Sequence, residues 1–297
     1  MMLSENSLTN GELPPLSTAV QKLTGFICQK KLGAVGGAII LMMILMAVFA
    51  ETMSPYDPVE NHYERILQAP DFEHWLGTDR FGRDILSRII HGSRTALFIG
   101  IISAFLGATT GFVLGLVSGY FGGMFDLIFM RFVDLFMAFP PLIMVLAIVA
   151  TFGNEMPYVI AAISVSIIPD SVRIIRANAL QVRQAPYIDS AIALGYSNTR
   201  IVLRHMLPNV MAPYLIIFTA AVGGAILAEA ALSYLGLGVN EPTPAWGLML
   251  QGGTEESITG VYWTAVFPGI AITLAVFGFF VLGDALRDVL DPKLRRG

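Results

Sequence analysis

The chain has one cysteine in 297 residues, four histidines, and charged groups at only 13% of its positions. Cys28 alone cannot form an internal disulfide, so no cross-linked scaffold supports the fold. His62, His74, His91 and His205 show no pair at i,i+4 with a third donor, so no built-in metal site is expected. The chain also lacks a Gly-x-x-x-x-Gly-Lys-Ser/Thr phosphate loop, a His-Glu-x-x-His pair and a Gly-x-Ser-x-Gly elbow. An enzyme is therefore not expected, no cofactor is expected in this chain, and any use of ATP must fall to another protein. The charge fraction is about half that of an ordinary soluble domain, and nothing in it suggests a nucleic-acid partner.

The chain has instead long uncharged runs: Leu32–Ala50, Thr95–Phe125, Leu135–Asn154, Met156–Pro169, Met206–Ala228 and Ser257–Gly283. A bilayer core of ~30 Å needs about 20 residues of helix, and five of the runs are long enough. Met156–Pro169 is short, and its helix is expected to continue past Asp170 to about Val172. The reading is an all-α membrane protein with six transmembrane helices in a lipid bilayer. The first run starts too late and is too long for a cleaved leader.

Six crossings leave both ends on one side, and 13 of the 18 Lys and Arg residues fall there. They include Lys22, Lys30 and Lys31 before the first span, the cluster Arg173, Arg176, Arg183, Arg200 and Arg204 between the fourth and fifth, and Lys293, Arg295 and Arg296 at the end. The other five lie in the first outer segment, where eight acids outnumber them. The positive-inside rule then makes both termini cytoplasmic. The organisation read along the chain is a tail over 1–31, a first span over 32–50, and an outer segment over 51–94. A five-helix core over 95–284 and a tail over 285–297 follow.

Within that core, Gly107, Gly111, Gly115 and Gly119 recur every four residues on one helix face. This pattern predicts a tight helix–helix seam, within the chain or with a second subunit. Pro140-Pro141 and Pro169 mark expected kinks. In the outer segment Asp79 can cap a helix, and Asp79/Arg83 and Asp84/Arg88 stand at i,i+4. They read as a surface helix leading into the second span or as part of a receiving surface for another protein. Asp126, Arg131 and Asp134 are expected to pair locally. Glu229, near the outer end of the fifth span, is a candidate for the substrate path, where it would attract an amino group or a cation. The other reading is a hydrogen-bonded structural acid.

Between the fourth and fifth spans lies Gln184-Ala-Pro-Tyr-Ile-Asp-Ser-Ala-Ile-Ala-Leu-Gly195. Pro186 suits a first helical turn, Asp189 complements the positive end of the dipole, and Gly195 is a natural stop. The spacing predicts a short helix over 186–194 whose Ile188, Ala191, Ile192 and Ala193 make a slim apolar surface. Stranded between spans, it has little to pack against in its own chain and needs a partner at the membrane surface. Pro208 is expected to open the fifth span.

This segment resembles the cytoplasmic signature of bacterial ABC importer permeases, Glu-Ala-Ala, three residues, Gly, nine residues, Ile, one residue, Leu-Pro. Asp189 falls at the Glu, Ser190 and Ala191 at the two Ala, Gly195 at the Gly, and Leu207-Pro208 at the end; His205 departs from the Ile. Further stretches are similar to the second permease of the dipeptide/oligopeptide/nickel branch: His74-Trp-Leu-Gly-Thr-Asp79, Leu232-Ser-Tyr-Leu-Gly-Leu-Gly238 with Pro242-Thr-Pro-Ala-Trp-Gly247, and Gly283-Asp-Ala-Leu-Arg-Asp-Val-Leu-Asp-Pro-Lys293. The resemblance implies a type I importer permease in the bacterial inner membrane. Its segment 186–194 would couple to ATP hydrolysis through Asp189, Ser190, Ala191, Gly195, Leu207 and Pro208. The implied partners are a second homologous permease, two ABC ATPases that bind ATP and Mg, and a periplasmic solute-binding protein. Peptides are the expected substrate, with nickel or another small solute as the alternative. An ATP-independent channel or scaffold subunit is the reading from a different class.

Overall fold

A computed structural model describes residues 30–290. The tail up to residue 29, with Lys22 and Cys28, and the end from residue 291, with Lys293, Arg295 and Arg296, lie outside the described residues. The described chain is helical. Helix α1 spans Lys31–Val48 and is followed by the single turn α2, Ala50–Met53. Next come α3, Ile85–Phe121; α4, Gly123–Met137; α5, Pro141–Phe152; and α6, Met156–Arg183. The short helices α7, Pro186–Ala193, and α8, Asn198–Ile201, precede α9, Leu207–Tyr234. Helix α10, Trp246–Ser257, and α11, Trp263–Leu290, complete the chain.

Five helices are long and apolar enough to cross a membrane, and the bent pair α4–α5 passes the same test when its two helices are taken together, which gives five to six candidate spans. The expected third span, Leu135–Asn154, is thereby corrected. Its helix breaks at Ala138–Pro140 and turns by 83°. Pro141 pushes the preceding residue out of the helical region, and Pro140 sits at φ −56°, ψ 131°.

Four other boundaries move. Helix α3 begins at Ile85, not Thr95, because the Asp84 carboxylate accepts the Ser87 N–H at 2.8 Å and caps it. At 37 residues it is about 55 Å long, so its first turns project beyond the bilayer. The proposed surface helix is in fact this projecting end, with Ile85, Ile89 and Ile90 buried. Helix α6 runs on through Pro169 to Arg183, far past Val172. Pro208 does not open a span: Asn198 to Tyr234 is continuous, and a π turn over Val202–Met206 precedes the proline. There the Leu207 N–H reaches back five residues to the Val202 carbonyl, a widening that accommodates the ring. The last span is Trp263–Leu290 rather than Ser257–Gly283, so residues expected in the terminal tail continue the helix.

Helices α3 and α6 form the most extensive pairing, and all four glycines at fours lie in it. A Cβ at Gly107 would stand 2.6 Å from the Ser164 carbonyl oxygen, at Gly115 2.7 Å from that of Val172, and at Gly119 2.7 Å from the Ala179 Cβ. Gly111 faces Ser171 in the same way. The seam therefore lies within the chain, where missing side chains let two backbones touch. Helix α9 crosses α3 and α11, and α1 lies outermost, with Gly36 against the Gly278 carbonyl of α11. Lys30 and Asp288 pair at 2.6 Å, so the start of α1 and the end of α11 lie on the same face. The same face carries α7, because α6 ends and α9 begins there.

Candidate functional site

Helix α7 has two faces. Ala185, extended at ψ 137°, turns the chain out of α6, and Pro186 starts the new helix. Ile188 and Ala191, 0% and 3% exposed, sit one turn apart and face inward. They join Tyr120, Ile175, Ala179, Ile201 and Met206 in one apolar cluster. The expectation that this helix lacks packing within its own chain is thus corrected. The i,i+3 spacing supplies an inner face, and Tyr120 adds a hydrogen bond to the Asn198 side chain at 2.7 Å. Tyr187, Asp189, Ser190, Ile192 and Leu194 point outward, with Leu194 72% exposed.

The helix ends in a Schellman turn. The Gly195 N–H bonds the Ile192 carbonyl at 2.9 Å and the Tyr196 N–H bonds the Ala191 carbonyl at 3.1 Å. This requires φ +76° at residue 195, a conformation that favours glycine. Leu207 and Pro208 lie beyond the π turn. His205, in the place of the usual Ile, stacks on Tyr196 with ring centroids 5.9 Å apart, while Met206 takes the fully buried position.

The bundle also holds an open-sided cavity of about 540 Å³ between α5, α6 and α9. Its wall is built from Ile, Leu, Val and Ala together with Ser166, Asp170 and Ser171. Glu229 is not on that wall. It is 1% exposed and accepts the Ser233 hydroxyl at 2.7 Å, and the same hydroxyl accepts the Val239 N–H at 3.3 Å. The carboxylate is thereby tied to the loop that leaves α9. Asp170, on the cavity wall, has no role that local sequence assigns, standing there only as an acid near the end of an uncharged run. The available signal was an acid between a 14-residue uncharged run and further helix.

At the α4–α6 contact the expected local pairing is corrected in part. Asp126 pairs with Arg176, fifty residues away, and Asp134 with Arg173 at 2.6 Å, whereas Arg131 reaches Asp134 only at 3.7 Å.

The opposite end of the bundle is closed by a polar network. Arg83 Nε donates to Asp79 at 2.7 Å, the expected i,i+4 pair, and its terminal nitrogens donate to Glu241 at 2.7 and 3.2 Å. Asp84 does not pair with Arg88. It bonds His74 Nδ1 at 2.9 Å, and Arg65, which can only donate, contacts His74 Nε2 at 3.1 Å. The proton therefore sits on Nδ1, aimed at Asp84. Burial pushes the Glu241 carboxyl up, but the Arg83 hydrogen bond and the Arg88 and Arg83 charges outweigh it and hold it below the ordinary range. At Glu256 the same effect of burial prevails and holds the carboxyl above its ordinary range. Trp246 donates its indole N–H to the Ile89 carbonyl at 3.0 Å and packs against Gly92; Thr95 donates to the Pro244 carbonyl at 2.8 Å. The Pro-Thr-Pro-Ala-Trp-Gly stretch is thus a clasp on α3. Among the described residues no cluster of His, Cys, Asp and Glu is suited to a metal ion.

A membrane-crossing helical bundle with an open-sided apolar cavity between α5, α6 and α9, and a short helix with exposed apolar residues on one face, has the build of a transport permease. Residues 111–296 match the family of binding-protein-dependent transport system inner membrane components, and residues 27–70 match the N-terminal transmembrane domain of oligopeptide transport permease C. The glutathione transport system permease protein GsiD of Escherichia coli O6:K15:H31 is 40% identical over 258 residues, which cover 86% of this chain and 84% of that protein. GsiD of Shigella boydii serotype 4 matches to the same extent. The chain belongs to this family: it is a multi-pass inner-membrane permease subunit of an ABC importer of the peptide/nickel type, C-type, and not itself an enzyme.

Proposed function

We propose that this permease and a second, homologous one together enclose a translocation path for small peptides. A periplasmic solute-binding protein would deliver the peptide, and two ABC ATPases would dock at the cytoplasmic face. Both termini lie in the cytoplasm on this reading, with the 51–94 segment and α10 outside. The names of the curated relatives, permeases for glutathione, support a peptide substrate. The observation that carries the coupling role is the division of α7. Its inner face is locked to the bundle, while Tyr187, Ile192 and Leu194 stand exposed beside Asp189 and Ser190. An apolar stripe with a polar edge on a rigid mount is a surface suited to a groove in another protein. Gly195 ends the helix cleanly, and Leu207 and Pro208 set the π turn through which α7 connects to α9. ATP-driven movement of the two motors would then tilt α6 and α9 and switch the cavity between the two sides.

The test is uptake of a radiolabelled dipeptide into proteoliposomes holding both permeases, the ATPases and the binding protein. Uptake that needs ATP and is lost when either the ATPases or the binding protein is omitted supports this reading. ATP-independent uptake would make the chain a channel subunit. Nickel uptake without peptide uptake would reassign the cargo.

A further inference from the structure

One ionisable group on the cavity wall is used by neither the seam nor the docking surface. Asp170 stands midway along α6, with 14 residues from Met156 to Pro169 before it and 13 from Ser171 to Arg183 after it. It is about 20 Å from either helix end at 1.5 Å per residue. It is exposed and lines the cavity. Among the described residues it has no ion pair and no side-chain hydrogen bond. On the adjacent helices α4 and α9, Asp126 is committed to Arg176, Asp134 to Arg173 and Glu229 to Ser233. Arg173, the basic residue one turn along the same helix, is held 2.6 Å from Asp134. The other polar side chains of the wall are turned back on their own helix, Ser166 donating to the Ile163 carbonyl at 2.7 Å and Ser171 to that of Ile167 at 2.9 Å.

We propose that Asp170 contacts the transported solute and selects for a primary ammonium group. This rests on the peptide-importer reading and deepens it. An acid at membrane depth is costly unless it faces a partner, a cavity or water, and here it faces a cavity. The volume, about 540 Å³, falls within the ~300–1,000 Å³ typical of small-molecule sites. With an apolar wall and its hydroxyls already bonded, this side of the path offers an ammonium one strong acceptor and offers a carboxylate nothing. Every peptide with a free amino end carries such a group, and a lysine side chain adds a second. The path would then contribute charge selection beyond that of the binding protein.

The test compares wild type, Asp170→Asn and Asp170→Glu in the fully assembled transporter, all with the same loaded binding protein, so that its own preferences cancel. The readout is uptake of Ala-Gln relative to N-acetyl-Ala-Gln, in which a neutral amide replaces the ammonium. The ratio is expected to fall about tenfold in Asp170→Asn, the order of one partly screened charge contact, and to stay within about twofold of wild type in Asp170→Glu. A ratio unchanged in Asp170→Asn overturns the proposal. So does an equal loss of both dipeptides, which marks a structural acid or one paired with the second permease. A wild-type transporter that carries neither dipeptide fails the peptide reading itself, and this inference falls with it.

Discussion

Arg176 grips Asp126 with two nitrogens, Nε and Nη2 each standing 2.5 Å from a carboxylate oxygen, and so fastens α4 to α6. The Ser118 hydroxyl donates to the same carboxylate at 2.5 Å, which brings α3 into the joint. Charge-assisted bidentate pairs are the strong class of hydrogen bond. Asp126→Asn and Arg176→Gln are each expected to lower the melting temperature of the detergent-solubilised protein. A double-mutant cycle should return a coupling of about 2 kcal/mol. Additive losses would show that the two side chains act independently.

The two faces of α7 make opposite predictions. Leu194→Asp should abolish co-purification of the ATPases and leave the melting temperature of the permease unchanged, because Leu194 is 72% exposed. Ile188→Asp should melt the permease early, since it places a charge at a fully buried position. Should Leu194→Asp retain its ATPases at wild-type yield, the outer face is not the docking surface.

At the α3–α6 seam, Gly115→Ala places a methyl against the Val172 carbonyl and should cost about 1–3 kcal/mol, the usual range for overpacking. Gly37, which has open space around its Cα, is the control: Gly37→Ala should be close to neutral. Thermal unfolding of the two variants side by side separates a tight seam from a general intolerance of side chains.

Two acids in the outer network should respond to pH with opposite sign. Glu256 is held above its ordinary 4.5 by burial, so the folded state loses stability as pH rises through the carboxyl range. Glu256→Gln should therefore melt higher than wild type at pH 7, and the gap should close as the wild-type carboxyl becomes protonated in acid. Glu241 is held below 4.5 by Arg83 and Arg88 against the opposing effect of burial. Its contribution is present above 4.5 and fades on acidification, so Glu241→Gln should melt lower at pH 7 and converge with wild type in acid. Melting curves from about pH 3 to pH 8 test both signs.

Glu229→Gln keeps a hydrogen-bonding group at Ser233 and leaves the cavity wall untouched. Transport at more than half the wild-type rate is expected, with a small drop in melting temperature. Selective loss of cationic substrates would return Glu229 to the path.

Length and absence of charge were enough to find most of the spans, because nothing else in a chain makes twenty uncharged helical residues. They misplaced ends wherever a charged residue continues a helix. Arg173 and Arg176 extend α6 because their partners, Asp134 and Asp126, come from another helix and cannot be seen in local sequence. The bend at Pro140 was marked by composition, yet hydropathy has no direction, so one apolar stretch and two angled helices read alike. Gly195 was legible as a stop because a single residue type suits its φ. Ile188 and Ala191 look like free surface in local sequence because their cover comes from Tyr120, Ile175 and Met206 on other helical segments. Asp170 was visible only as a letter, since its meaning depends on the empty space beside it.

The cavity and α7 share their mounts: α6 and α9 wall the one and bracket the other in the chain. Anything that rocks α7 at the membrane surface therefore pries on two cavity walls at once, as two long handles work a pair of tongs, with the stiff glycine-lined joint between α3 and α6 as the pivot.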